Sequence, residues 1–145
     1  MSGEGSTSFS LLGTVILWRM VWRGRHNQTL GARGESAAQQ YLRQRGYRIL
    51  LTNYRCRFGE VDLIARDGET LVFVEVKTRA QSQYGSPFEA VDARKQRTIQ
   101  QVAAHYVQTR QVAACAIRFD VVGVHWRDGR GHCELIQHAF EADSA

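Results

Sequence analysis

Two stretches decide the fold of this chain: GEVDLIA at residues 59–65 and LVFVEVK at residues 71–77. Both are rich in the residues that favour strands, and Asp67-Gly68 between them is a strong signal for a β-hairpin. They also contain three acids and a lysine, although strand interiors are depleted in these residue types. A buried ionised carboxylate has to be paired or bound to a metal. The sequence therefore predicts a hairpin that carries a charged site.

The pairing of the two strands follows from a two-residue turn at Asp67-Gly68. In that register Asp62 lies opposite Phe73, and Glu60 lies opposite Glu75. Successive side chains alternate between the faces of a sheet. One face is expected to carry Glu60, Asp62, Phe73, Glu75 and Lys77, and the other to be apolar, with Val61, Leu63, Ala65, Val72, Val74 and Val76. A three-residue loop would instead slip the register by one and turn one strand's charges away.

The charged face suits a divalent cation. Like charges directly opposite each other destabilise a sheet, so this face is poor as a purely structural device. Mg²⁺ takes hard oxygen ligands and keeps several waters, so one or two carboxylates suffice. We expect Mg²⁺ or Mn²⁺ between Asp62 and Glu75, with Glu60 as a second or water-mediated ligand. The alternative is a simple ion pair between Lys77 and Glu75, which leaves Asp62 unmatched.

An acid followed by a strand with Glu-x-Lys resembles the PD-(D/E)XK nuclease pattern of the restriction-endonuclease-like fold and of archaeal Holliday-junction resolvases. Over about residues 28–140 the chain resembles the YraN-like family of small, largely uncharacterised bacterial proteins. The matching motifs are GARGE at 31–35, GEVDLI at 59–64, VFVEVKTR at 72–79, KQR at 95–97 and RFDVV at 118–122. One departure is that Val61, and not proline, precedes Asp62.

The resemblance implies an α/β fold: a restriction-endonuclease-like core with a central mixed sheet flanked by helices, in the order α-β-β-β-α-β-β. It implies a metal-dependent nuclease that hydrolyses phosphodiester bonds, with DNA, branched DNA included, as the favoured substrate. Asp62 and Glu75 would hold the ion, and Lys77 would orient or deprotonate the water or stabilise charge on the phosphate. Glu35, on the first helix, would reach the site from the side; its alternative role is to favour the helix dipole.

The competing class is a non-catalytic nucleic-acid-binding module on the same fold, because function belongs to sites and not to folds. Junction-cleaving relatives are dimers, so the resemblance also admits a homodimer, although the sequence carries no dimer-specific motif.

The charge balance points to an anionic partner. The formal charge is +5 and the isoelectric point is about 9.5, which favours nucleic acid or a membrane surface. Arg79, Lys95 and Arg97 flank the expected site and are candidates for phosphate contacts. Five further arginines surround the first predicted strand: Arg43, Arg45, Arg48, Arg55 and Arg57. An ordinary arginine-rich surface is the alternative interpretation.

The cysteines and histidines indicate no structural metal or disulfide frame. The three cysteines have no Cys-x-x-Cys spacing, and the histidines near the last predicted hairpin match no zinc pattern. A reduced, cytoplasmic setting is expected.

The N-terminal part is treated as an extension, residues 1–27, before a domain at 28–140 and a tail at 141–145. The extension is predicted to be disordered or to form a short apolar helix. Its apolar run, 9–22, is too short and interrupted to span a membrane, and it is a poor signal peptide. It is either an interfacial helix or the product of an over-called start with Met20 as the true one, and the second is favoured.

The remaining elements follow from periodicity and end signals. Gly46 is the predicted stop of the first helix, and Asp92 the predicted N-cap of the second. The predicted elements are helices at Leu30–Arg45 and Ala93–Thr109, and strands at Tyr47–Tyr54, Ala116–Val124 and Glu134–Phe140, besides the hairpin.

Overall fold

The computed structural model describes residues 30–80 and 91–142. Its elements are α1 (Leu30–Gln44), β1 (Arg48–Cys56), β2 (Gly59–Asp67), β3 (Thr70–Arg79), α2 (Ala93–Thr109), β4 (Ile117–Arg127) and β5 (Arg130–Phe140). The strands form one sheet in the order β1-β2-β3-β4-β5, antiparallel except for the parallel pair β3–β4. A parallel pair needs a long crossover, and α2 lies in that connection. The predicted element order and mixed sheet are confirmed.

Local sequence signals set the start of α2 and the end of α1. The Asp92 side chain accepts a hydrogen bond from the Lys95 N–H at 2.8 Å, so it caps α2 at the predicted residue. After α1, Gly46 has φ of 89°, and the Tyr47 N–H donates to the Leu42 carbonyl at 3.0 Å. A residue of positive φ with this bond ends a helix because it satisfies a carbonyl of the last turn.

The strands are longer than predicted. β1 continues to Cys56 because Arg55 and Cys56 pair with Glu60 and Gly59. β4 and β5 likewise pair as far as Arg127 and Arg130, on either side of the predicted turn. These added pairs consist largely of polar residues, so alternation of hydrophobicity does not reveal them.

The turn between β2 and β3 lies one residue later than predicted. Asp67 pairs with Thr70, so the two turn residues are Gly68 and Glu69. Arg118, distant in sequence, contacts the Asp67 carboxylate at 2.9 Å and holds Asp67 in the strand.

The predicted pairings of Asp62 with Phe73 and of Glu60 with Glu75 are therefore wrong. Phe73 lies opposite Ile64. The register differs by two residues, and a shift of two keeps every side chain on its face. Continued beyond the pair of Leu63 and Val74, it brings Asp62 level with Glu75.

Each face of the sheet is covered by one helix. The cluster on one face joins Ala38 and Leu42 of α1 to Tyr47, Leu63, Ala65, Val72, Val74, Val122 and Val124. The cluster on the other face joins Ile99, Val102 and Tyr106 of α2 to residues that include Val61, Ile64, Leu71, Phe73, Phe119 and Val121. Because Phe73 faces α2, Glu75, two residues along the strand, faces α2 as well.

Val61 was expected beside Leu63, and this expectation is wrong, because Val61 packs in the cluster under α2. Pairing of β2 with β3 begins only at Leu63, so the start of β2 is free to lean on α2. A Cβ built on Gly59 would lie 2.6 Å from Thr98 Cγ2, which shows how closely the two approach.

Across residues 30–80 and 91–142, no helix is both long and apolar enough to cross a membrane. The apolar run 9–22 lies outside the described residues.

Candidate active site

The two predicted metal ligands are brought together beside the second half of β3. Glu75 is only 5 % exposed, and Asp62 is partly buried beside it. The Val76 N–H donates to Asp62 Oδ2 at 2.7 Å. The backbone of β3 thus holds the carboxylate of Asp62 next to the strand position of Glu75.

Two lysines approach Glu75. Lys77 Nζ lies 3.5 Å from Glu75 Oε1, and Lys95 Nζ lies 3.7 Å from the same oxygen. Lys77 comes from the same face of β3, whereas Lys95 comes from the first turn of α2. The ion pair considered as an alternative is therefore present, but both lysines address one oxygen. In the described part of the chain, the other oxygen, Glu75 Oε2, is buried and has no hydrogen-bond partner.

The electrostatics of the pair follow from burial and mutual repulsion. Burial, followed by the negative charge of Asp62, raises the pKa of Glu75 from 4.5 to about 7, against the opposing effect of the two lysines. Burial also raises the pKa of Asp62, and the charge of Glu60 acts in the same direction. Each acid is thus disfavoured in its charged form, and a bound cation would relieve that penalty.

The residues present fit a divalent cation with few protein ligands. Asp62 and Glu75 offer hard oxygen atoms, and the unpartnered Glu75 Oε2 is an acceptor that nothing else described uses. Among residues 30–80 and 91–142, no three His, Cys, Asp or Glu side chains are grouped so as to hold a metal. A site of two carboxylates completed by water is therefore the arrangement that fits, and Mg²⁺ accepts such sites.

Glu60 and Glu35 are placed differently from these two acids. Glu60 Oε2 lies 2.9 Å from Arg55 Nε, so its carboxylate is shared with an arginine. Glu35 is partly buried on α1, next to the point where Gly34 meets the Thr78 side chain. That helix covers the face of the sheet opposite to the one that carries Glu75. Roles for both residues at a metal remain predictions.

The candidate phosphate contacts lie at the same end of the sheet. Arg79 ends β3, opposite His125 of β4, and Arg97 is exposed on α2 two residues after Lys95. Lys95 itself reaches the carboxylate of Glu75, a contact that the sequence did not predict. The only sequence feature that pointed to this contact was the position of Lys95 in the first turn of a capped helix.

The arginines around β1 do not form one group. Arg43, Arg45 and Arg48 precede or begin this nine-residue strand, whereas Arg55 and Arg57 lie at its other end. At roughly 3.3 Å per residue, the strand separates the two groups by more than 20 Å. Arg55 and Arg57 belong to the end that carries Asp62.

Sequence reasoning missed a second buried acid, Asp120, which is 0 % exposed. Asp120 Oδ1 lies 2.8 Å from Arg118 Nε, and Asp120 Oδ2 accepts from the Tyr47 hydroxyl at 3.0 Å. The His138 N–H also donates to it. The sequence feature that could have revealed Asp120 is the charged pair Arg118 and Asp120 in an otherwise apolar strand. Both carboxylate oxygens of Asp120 thus have partners, whereas Glu75 Oε2 has none among the residues that the structure describes.

Comparison with known proteins places these residues within a described family. The model of the uncharacterised protein family UPF0102 matches residues 34–124. A UPF0102 protein of Syntrophus aciditrophicus is 48 % identical over 122 residues, which are 84 % of this chain and 96 % of the relative. Those of Geobacter metallireducens and Symbiobacterium thermophilum are 49 % and 50 % identical over 117 residues, covering 80 % of this chain and 95 % and 99 % of the relatives.

Proposed function

We propose that this chain, which belongs to the uncharacterised protein family UPF0102, hydrolyses phosphodiester bonds of nucleic acid with the help of a divalent cation. The observation that carries the proposal is the buried Oε2 of Glu75 beside Asp62, which has no hydrogen-bond partner among residues 30–80 and 91–142. A protein that needed Glu75 only for folding would have no reason to keep that oxygen unsatisfied, since such a group costs free energy.

Asp62 and Glu75 would hold Mg²⁺ or Mn²⁺, with the Val76 carbonyl as a further candidate oxygen. When bound, such an ion polarises a phosphoryl oxygen and lowers the pKa of bound water. Lys77 Nζ, 3.5 Å from Glu75, is placed to orient a water or to stabilise charge that develops on the phosphate. Lys95, anchored by the Asp92 cap, presents a second ammonium group from α2.

A polyanionic substrate is supported by the charges around the site. The chain carries a formal charge of +5. Arg55 and Arg57 at the end of β1, Arg79 on β3 and Arg97 on α2 add cations at the end of the sheet that carries the acids. Basic groups that surround a small acidic centre attract a phosphate backbone. DNA is the favoured substrate because of the resemblance to PD-(D/E)XK nucleases.

One observation favours a second candidate, a nucleic-acid-binding module without turnover. Glu75 already has two lysines near one oxygen, so part of its charge is compensated without a metal ion. In that case the cluster would serve to place Lys77 and Lys95 against phosphates.

A cleavage screen separates the two candidates. Single-stranded, duplex, flap and four-way-junction DNA and matching RNA are incubated with the protein in Mg²⁺, in Mn²⁺ and in a chelator. We expect metal-dependent cleavage that Glu75→Ala abolishes. Glu69→Ala, which removes an exposed acid from the other end of the same hairpin, is the matched control and should cleave normally.

Binding without cleavage of any substrate would favour the module. Equal cleavage by Glu75→Ala would point to a contaminating nuclease. Light scattering with a four-way junction tests the homodimer that junction cleavage requires.

A further inference from the structure

The turn between β1 and β2 carries an exposed aromatic residue that the fold does not require. Cys56 pairs with Gly59, so Arg57 and Phe58 form a two-residue turn. Turn positions favour Gly, Asn and Asp, and nothing in turn geometry calls for Phe. Phe58 is 38 % exposed; Ile117, at 42 %, is the other large hydrophobic side chain exposed within the described ranges.

The Phe58 ring is exposed and yet held in a fixed orientation. The Arg57 guanidinium lies over it, 4.7 Å from the ring centroid. On the helix side, the His105 ring lies 6.1 Å away at 70°. His105 is in turn fixed by a 2.9 Å hydrogen bond between its Nδ1 and the Tyr54 hydroxyl. An aromatic ring with one cation stacked on it is therefore presented to solvent by packing on α2.

Contacts along α2 connect the region of the Phe58 ring with that of the two carboxylates. Along α2, Lys95 contacts Glu75, Thr98 lies against Gly59, and His105 contacts Phe58. Positions 95, 98 and 105 share one stripe of the helix. Ten residues of helix span roughly 15 Å, which is at most about four nucleotides, the number at the rise per strand of stacked DNA.

We propose that Arg57 and Phe58 form a stacking platform for an unpaired nucleobase. The substrate therefore carries single-stranded nucleotides a few positions away from the phosphodiester bond that is cleaved beside Glu75. The inference rests on the function proposed above. Bases stack on aromatic rings and on guanidinium planes, and they do so only when they are not already stacked inside a duplex. Arg57 also supplies the charge that attracts the adjoining phosphate.

The surroundings of Phe58 argue for this partner over a protein. A specific protein interface buries roughly 800 Å² on each partner around an apolar centre. Phe58 is instead a single exposed ring with the Arg57 guanidinium on it, and Arg55, which pairs with Glu60, lies two positions before Arg57 in the same hairpin. One ring flanked by cations matches a base with its phosphate.

Fluorescence anisotropy in a chelator measures binding without cleavage. The probes are a labelled oligothymidylate and a blunt duplex of equal length, at the same salt concentration. We expect Phe58→Ala to weaken binding of the single strand by roughly five- to a hundredfold, as the loss of one base stack does, and to change duplex binding by less than about twofold. Phe58→Trp should retain single-strand binding. Ile117→Ala, the matched loss of an exposed hydrophobic side chain, should change neither.

Phe58→Leu separates stacking from packing, because leucine fills the space against His105 but has no aromatic face. Loss of single-strand binding in Phe58→Leu supports the platform. Retention of that binding, or an equal loss for the duplex, overturns the platform and leaves the proposed nuclease standing. No binding of either probe by the wild-type protein also overturns the platform, and the cleavage screen in Mg²⁺ or Mn²⁺ decides the nuclease separately.

Discussion

At the scale of single residues, two buried acids of this chain behave differently. Asp120 accepts hydrogen bonds from Tyr47, Arg118 and the His138 backbone. Glu75 has two lysines near one oxygen and no described partner for the other. A satisfied buried acid contributes to the specificity of the fold, whereas an unsatisfied one beside a second acid is under electrostatic strain that a cation removes.

That difference gives a prediction for stability against pH. In the metal-free protein the pKa of Glu75 is about 7, above its usual 4.5. Between these values the folded state binds more protons than the unfolded state, so the free energy of unfolding should fall as pH rises, by a few kcal/mol at most. Below pH 4.5 this penalty is absent, and above pH 7 it is complete. Urea unfolding from pH 4.5 to 8 in a chelator measures it.

Glu75→Gln should flatten the dependence of the free energy of unfolding on pH and leave only the part of it that Asp62 contributes. At pH 8 the substitution should raise or maintain the melting temperature. Glu69→Gln, in the exposed turn, is the control and should keep the wild-type slope. A clear fall in the melting temperature of Glu75→Gln at pH 8 would show instead that Glu75 serves as the structural partner of Lys77.

At the scale of elements, the packing of α1 on β3 depends on one glycine. Gly34 is buried against Thr78, and a Cβ at position 34 would overlap the Thr78 side chain. Glycine is unfavourable in a helix interior by about 1 kcal/mol, so its presence there needs a packing reason. The close approach of helix and strand supplies that reason.

The same helix offers a matched test. Gly34→Ala should destabilise the protein by roughly 1–3 kcal/mol, because the clash forces helix and strand apart. Gly31→Ala should be neutral or slightly stabilising, since a Cβ at that position meets nothing within 4 Å. Chemical denaturation of both variants measures the difference. Equal stability of the two would mean that α1 does not pack as described.

At the scale of the whole molecule, the basic residues divide between the two ends of the sheet. One end carries Asp62, Glu75 and the cations near them. The other carries Arg43, Arg45 and Arg48, near the buried network around Asp120. Among the described residues, the first end is the one that combines cations with a buried acid oxygen lacking a hydrogen-bond partner. We therefore expect nucleic acid to bind at that end.

The dependence of binding on salt tests this placement. Each phosphate contact contributes about 0.9 to the slope of log K against log salt concentration on duplex DNA, because counterions are released. Arg97→Ala should make that slope shallower by up to this amount. Arg43→Ala, which removes an exposed arginine from the far end of α1, should leave it unchanged. The reverse result would move the binding surface to the end around Asp120.

Local chemistry in the sequence determined the elements of this protein and the identity of the unusual acids. The bounds of α2, its cap at Asp92 and the stop at Gly46 were predictable because each depends on residues within one or two turns. The faces of the hairpin, apart from that of Val61, were predictable for the same reason, since alternation is a property of the strand itself. Charged residues in apolar strands marked Asp62 and Glu75.

Tertiary contacts decided the rest. The turn moved by one residue because Arg118 holds Asp67 from 51 positions away. Val61 changed layer because the start of β2 leans on α2, and Lys95 reached Glu75 because that helix crosses this face of the sheet. Such contacts join segments whose local patterns are independent of each other. Their geometry exists only when the sheet has formed, and for that reason the sequence could single out Asp62 and Glu75 but not their register or the approach of Lys95.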